Sequence, residues 1–139
     1  MGRISRDLVI DTPAETVYRY VSDPRNAPRY ISSIRRIVSG PDLAPAEGQA
    51  WVAEADFMGR MHALNLRITR LTPNAEVHFA MEGSLNGELM LLLTPSPRNT
   101  RTAVALYLEV ESVPTLLLNA MLGGLLSDDM QRLKQVLES

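Results

Sequence analysis

The stretch "DTPAETVYRYVSDPRNAPRYISSI", Asp11 to Ile34, decides how this chain is organised. It follows a strand-like opening and carries two helix-start signals in close succession. Thr12-Pro13-Ala14-Glu15 fits the capping-box pattern, in which the Thr12 hydroxyl takes the Glu15 N–H and the Glu15 carboxylate reaches back to Thr12. Pro13 falls at the first helical position, where its missing N–H costs nothing. Ala14, Val17, Tyr18 and Val21 then keep the spacing of one apolar helix face. Asp23-Pro24 repeats the start signal, and Pro28 limits the second helix to about two turns. Two short helices of this kind need an apolar surface to lie on.

The flanking sequence supplies that surface. Ile4 to Ile10 reads as a first strand and Ser33 to Ser39 as a second. Gly40 to Gly48, rich in glycine and proline, reads as a loop. From Gln49 the apolar period becomes two: Trp51, Ala53, Ala55 and Phe57 alternate with Val52, Glu54 and Asp56. Gly59 permits a tight turn. His62, Leu64, Leu66 and Ile68 then share one parity, as do Val77, Phe79 and Met81, and later Thr102, Val104, Leu106, Leu108 and Val110. Leu89 to Leu93 is apolar throughout, so its parity is open. About seven strands with short connections predict an antiparallel meander. From about Val113 to Leu137 the spacing is helical, with Leu117, Met121, Leu125, Met130, Leu133 and Val136 on one broad face. Gly123-Gly124 interrupts it, which signals a bend or a close approach of backbone to a neighbour. The predicted fold class is α+β: a curved antiparallel sheet around a long C-terminal helix, with the two short helices closing one end of the trough.

Composition narrows the function classes. A chain of 139 residues suits one domain, and 45% hydrophobic with 22% charged residues is an ordinary globular balance. The net charge of -2 lacks the basic stripe needed to displace counterions from phosphates, which argues against nucleic acid as a partner. Arg25, Arg29, Arg35 and Arg36 lie close together, either as a solvated surface or as a site for an anionic head group or acidic partner. The absence of cysteine excludes disulfides, thiolate metal sites and a cysteine nucleophile, and fits a reducing cytoplasm. The N-terminus has no apolar secretory core. The run Leu116 to Leu126 is shorter than the roughly 20 residues of a membrane span and reads as a buried helix.

The order of elements resembles the START-like, Bet v 1-like (SRPBCC) superfamily and its helix-grip fold. More narrowly, the chain is similar to the bacterial polyketide cyclase/dehydrase and lipid-transport group. The likeness covers nearly the whole length. It rests on "IDTPAETVYRYVSD" with "PRYI", on "LTP" before "RNTR", and on the closing "MQRLKQVLE". Tyr30 stands where a tryptophan is common and Ser32 where a proline often follows. The resemblance implies a cavity between sheet and helix that often holds an apolar ligand. It implies no particular reaction, because one fold carries many unrelated sites.

Parity puts Trp51, Phe57, Leu64, Leu66, Phe79, Met81, Leu106 and Leu108 on the concave face, and the resemblance adds Leu89, Leu91 and Leu93. Met121 and Leu125 would face them from the helix, with Tyr30 near the mouth. Such walls suit a hydrophobic small molecule; the same residues could equally fill a solid core. His62 is the interior candidate for a general base or a polar anchor. Its alternative is a histidine satisfied by backbone near a strand end. Arg60 and Arg70 share its parity at strand ends; Glu54, Asp56, His78 and Glu109 have the opposite parity. Ser84, Asn86 and Glu88 lie at a bend and are weak candidates. No second inward acid or base is expected beside His62, and two histidines on different strands make no metal site. No cofactor-binding glycine loop or nucleophile elbow is present.

Met90, Leu92, Ala103, Ala105 and Tyr107 would form an apolar patch on the outer sheet face, either a homodimer interface or ordinary surface residues. The functional expectations are a carrier or binder of a lipid, isoprenoid or polyketide-like molecule, a cyclase or aromatase using His62 in proton transfer, or an interaction module with a solid core.

Overall fold

A computed structural model describes residues 1–57 and 59–139. Seven strands form one antiparallel sheet: β1 Gly2–Ile10, β2 Ile34–Ser39, β3 Ala50–Phe57, β4 Arg60–Thr72, β5 Glu76–Gly83, β6 Gly87–Pro95 and β7 Thr102–Val110. Their spatial order is β1-β7-β6-β5-β4-β3-β2, so the first two strands in sequence end up at opposite edges. The long connection between them holds helix α1, Ala14–Val21, and a 3₁₀ helix, Pro24–Arg29. Helix α2, Thr115–Glu138, ends the chain.

The alternation read from sequence is the alternation observed. Trp51, Ala53, Ala55 and Phe57 are all buried on β3, as are Leu64, Leu66 and Ile68 on β4. On the continuously apolar β6, Leu89, Leu91 and Leu93 face inward, while Met90 and Leu92 are half-buried on the other face. Asn74, at φ 61°, closes the β4–β5 turn, and Gly59, at φ 74°, the β3–β4 turn.

The start of α1 departs from expectation. Thr12 and Glu15 form no capping box: Pro13 occupies the cap position, and no side chain of its own caps the helix. Thr12 is buried, and its hydroxyl donates to the Leu137 carbonyl at 3.0 Å, at the far end of α2. The free Ala14 N–H donates instead to Asn99 Oδ1 at 3.1 Å, from the β6–β7 hairpin. A long-range partner has replaced a local one. The second start signal holds, because the Asp23 carboxylate accepts the Arg25 N–H at 3.0 Å. Val17 and Val21 bury the apolar face of α1 completely.

Helix α2 runs along β1 and covers its free edge, which would otherwise present unpaired backbone groups. Arg3 N–H donates to Thr115 Oγ1 at 3.2 Å, Lys134 Nζ donates to the Val9 carbonyl at 2.9 Å, and Asp11 N–H donates to Glu138 Oε2 at 2.8 Å. The face α2 buries matches the expected one at Met130 and Leu133 and differs from it elsewhere. Leu118, Leu126, Met130 and Leu133 point inward, whereas Leu117, Leu125 and Val136 are substantially exposed. The first three turns are mainly apolar, so spacing alone could not choose between adjacent faces. The glycine pair neither breaks nor ends the helix. At Gly123 an added Cβ would lie 2.9 Å from Arg6 Nη2 and 2.7 Å from Asn119 Oδ1, whereas at Gly124 it would meet nothing within 4 Å. The Arg6 guanidinium uses the close approach, donating to the Gly123 carbonyl at 3.1 Å and to Ser127 Oγ at 2.8 Å.

Candidate functional site

The trough between sheet and α2 is solid at one end and hollow at the other. Under α1 and the 3₁₀ helix, Val17, Val21, Tyr30, Trp51, Leu91 and Leu106 close the core with almost no exposed surface. Toward the other end, Phe57, Leu64, Leu66, Met81, Leu89 and Leu108 from the sheet face Leu122, Leu125 and Leu126 of α2 across a cavity of about 80 Å³. Ala53 and Ala55 widen it, because their side chains stop at Cβ. A vestibule of about 380 Å³ adjoins it and shares Ser33, Asp56, Leu122 and Leu125 with it; Ser32, Arg35, Gly59 and Met121 complete the vestibule's lining. The inner space is smaller than the roughly 150 Å³ that accepts a benzene ring, so a ligand larger than a few atoms must also occupy the vestibule.

The most deeply buried polar group of the inner wall, which also holds Ser33 and Asp56, is Asp129. Its side chain is 4% exposed, although it projects from a helix face otherwise made of leucine and methionine. Oδ1 accepts the Ser32 N–H at 3.2 Å and the Arg132 guanidinium at 3.2 Å. Among the described residues Oδ2 has no hydrogen-bond partner. Burial pushes the Asp129 carboxyl above the ordinary aspartate range, while Ser32 and Arg132 pull it back. The Ser32 hydroxyl lies buried next to it, close enough to lower the carboxyl's pKa but without a well-formed hydrogen bond. Asp129 is an inward acid that lies away from His62 and was not among the sequence candidates. The signal was in the sequence: Asp129 stands seven residues after Leu122, three after Leu126 and four before Leu133, on the buried face. The expected face, read from apolar residues alone, was one residue off at Leu117 and Leu125 and passed over the acid between Leu126 and Met130.

The expected ligand-facing residues divide accordingly. Phe57, Leu64, Leu66, Met81 and Leu125 line the cavity, and Met121 lines the vestibule. Trp51, Phe79, Leu91 and Leu106 lie on the expected face but in the solid core. Parity fixes which face a side chain is on, not how far along the trough it lies. Tyr30 is not near the mouth: it is 1% exposed and stacks on Tyr20 at 6.0 Å between ring centroids, and burial raises its phenol well above the ordinary range. Trp51 lies against Gly40 and donates through Nε1 to the Pro41 carbonyl at 3.2 Å.

His62 is half-buried, with both ring nitrogens engaged. Nε2 lies 3.2 Å from the Phe57 carbonyl and Nδ1 2.9 Å from Ser84 Oγ. A carbonyl only accepts, so Nε2 carries a proton; in the neutral ring Nδ1 accepts from Ser84. The histidine ties the β3–β4 end to the β5–β6 turn and does not line the cavity. Asn86 braces that turn through Gly83, and Glu88 is exposed. Arg60 is exposed and Arg70 pairs with Glu76 at 3.1 Å. Among the described residues no cluster of His, Cys, Asp and Glu is arranged to hold a metal ion.

The arginine group is largely committed to the chain's own carboxylates: Arg25 to Asp23 at 2.8 Å, Arg35 to Asp56 at 3.1 Å and Arg36 to Glu54 at 2.8 Å. Asp56, of the parity opposite to His62 and so expected on the outer face, lines both cavity and vestibule and pairs there with Arg35. On the outer sheet face Met90, Leu92, Ala105 and Tyr107 are half-buried and Ala103 is exposed, with the Arg3 guanidinium 4.7 Å over the Tyr107 ring.

Comparison with known proteins bears directly on this geometry. The family model described as polyketide cyclase/dehydrase and lipid transport matches residues 1–138. The chain belongs to that family. The fold recurs in a START superfamily protein from Mycobacterium smegmatis, with a TM-score of 0.79 at 16% identity, covering 99% of this chain and 98% of that one. It recurs in the Zhui aromatase/cyclase from Streptomyces sp. R1128, with a TM-score of 0.74 at 12% identity and coverage of 98% and 93%. The Aha1 dimer from Colwellia psychrerythraea gives a TM-score of 0.70 at 17% identity, with coverage of 99% and 96%. At these identities the structures establish the helix-grip fold and nothing finer. A search of curated protein sequences found no significant match. Among the described residues of this family member, no helix is long and apolar enough to cross a membrane.

Proposed function

We propose that this member of the polyketide cyclase/dehydrase and lipid transport family is a START-like domain that binds or carries a hydrophobic small molecule between sheet and α2. The observation that carries this reading is the apolar cavity, adjoined by a larger vestibule that shares four of its lining residues, at the end of the trough that the short helices leave unfilled. Binding would draw on burial of apolar surface, at about 25 cal/mol per Å². The inner cavity is small, so a lipid, isoprenoid or polyketide-like molecule would extend from it into the vestibule past Leu122 and Leu125. Native mass spectrometry of the freshly purified protein, before and after organic extraction, tests the reading. A bound mass lost on extraction is the expected result. A clean apo mass, with no stabilisation by a panel of lipids and aromatics, would remove it in favour of the interaction module.

An enzymatic reading of the cyclase type has one specific observation in its favour, and it concerns Asp129 instead of His62. Both His62 nitrogens are already bonded, whereas Asp129 is a buried cavity-wall acid with a raised pKa. Loss of turnover in Asp129→Asn with ligand affinity retained would favour it over a carrier.

A homodimer through the outer sheet face has less support. The patch is already half-covered in the single chain, and the dimer named for the Colwellia protein is that protein's property. Light scattering at micromolar concentration on the native protein and Leu92→Lys decides the point: a monomer in both cases rules the dimer out.

A further inference from the structure

The polar wall of the cavity constrains the ligand's chemistry, on the reading that the cavity is the binding site. We infer that the cavity selects an apolar molecule bearing a neutral hydroxyl, an alcohol or a phenol, whose O–H donates to Asp129 Oδ2.

Three observations converge on this class. First, the Asp129 carboxyl is built into the wall and not left at a rim. It is 4% exposed, lines the inner cavity, and has one oxygen fixed from two directions by the Ser32 N–H and the Arg132 guanidinium. Its second oxygen takes no hydrogen bond among the described residues, in walls that are mostly aliphatic and whose other polar members are Ser33 and Asp56. A carboxylate oxygen with free acceptor capacity in an apolar wall is a place for a ligand donor. Second, Ser32 Oγ is buried beside the carboxyl, near enough to help hold it ionised but without a well-formed hydrogen bond. A hydroxyl both donates and accepts, so a ligand O–H can satisfy the carboxylate while its oxygen takes the serine proton. Third, charge selects against a cationic ligand. Arg132 already neutralises Asp129, and an ammonium would add a second positive charge to a site with one carboxylate. The other cavity-wall acid, Asp56, is occupied by Arg35. A ligand carboxylate would meet Asp129 as a like charge. A plain hydrocarbon would leave Oδ2 unpaired.

Two matched probe pairs test this: 2-naphthol against 2-fluoronaphthalene, and 1-decanol against 1-fluorodecane. Each pair is similar in shape and differs in the donor. Calorimetric titration of the intact protein should show the hydroxyl compound of at least one pair binding about tenfold or more tighter than its fluoro partner, the effect of one hydrogen bond to a charged acceptor. The preference should vanish in Asp129→Leu and shrink in Asp129→Asn, which keeps an acceptor and the fold if the leucine variant does not fold. Equal binding of the two members of each pair, or a preference that survives both substitutions, overturns the inference and leaves the hydrophobic-ligand reading standing. Failure of all four probes to bind the native protein overturns that reading and this inference with it.

Discussion

Asp129 on α2 accepts the backbone N–H of Ser32 at 3.2 Å, and so pins the middle of the long helix to the segment that leads from the 3₁₀ helix into β2. The two residues are 97 positions apart in the chain. The bond closes the trough on the side away from β1, and it leaves a carboxyl in the cavity wall.

Burial raises the Asp129 carboxyl in the folded state, so the native protein holds that proton more tightly than the unfolded chain. This contribution to stability is fully present below the ordinary aspartate value of about 3.9 and is lost as pH rises through the higher native value. Asp129→Asn cannot titrate. Denaturant melts at about pH 7 and about pH 4 should therefore show native stability gaining on the variant as pH falls. A constant difference between the two proteins would mean that the Asp129 pKa is not raised.

The glycine pair in α2 should respond asymmetrically to alanine. Gly124 faces open space, so Gly124→Ala should raise stability by about 1 kcal/mol, the helix-propensity difference. At Gly123 the new Cβ meets Arg6 and Asn119 and disturbs the guanidinium bond to the Gly123 carbonyl. Gly123→Ala should gain clearly less or lose stability. Thermal melts of both variants check the order.

His62→Ala should act on stability and not on the ligand. It removes the bonds to the Phe57 carbonyl and Ser84 Oγ, at a cost of about 1–2 kcal/mol. Ligand affinity, measured on the folded fraction, should change less than twofold, by the ordinary tolerance of such titrations. A large loss of affinity with stability unchanged would return His62 to the site.

Ala55→Leu should fill the cavity. Ala55 lines the empty space, so the longer side chain enters it with less strain than the roughly 1–3 kcal/mol typical of an overpacked core. A bound mass seen in the native protein should disappear from the variant. Retention of that mass would place the ligand elsewhere.

Local pattern carried most of the architecture. The period of two from Trp51 onward determined which residues of each strand turn inward, because a pleated strand alternates its faces whatever it packs against. Asp23-Pro24 determined the start of the 3₁₀ helix, since its cap lies two residues away. Tertiary structure decided what local pattern could not reach. Thr12 had the sequence of a capping residue and became a bridge to Leu137, because folding brought a better-placed acceptor than its own helix. The buried face was open in the first, mainly apolar turns of α2, and contact with β1 and Ser32 chose it. That choice turned Asp129 inward and made it, instead of His62, the most deeply buried polar group of the cavity. Parity assigns a side chain to a face, but only the packing of Val17, Val21 and Tyr30 determined which part of that face is filled and which is hollow.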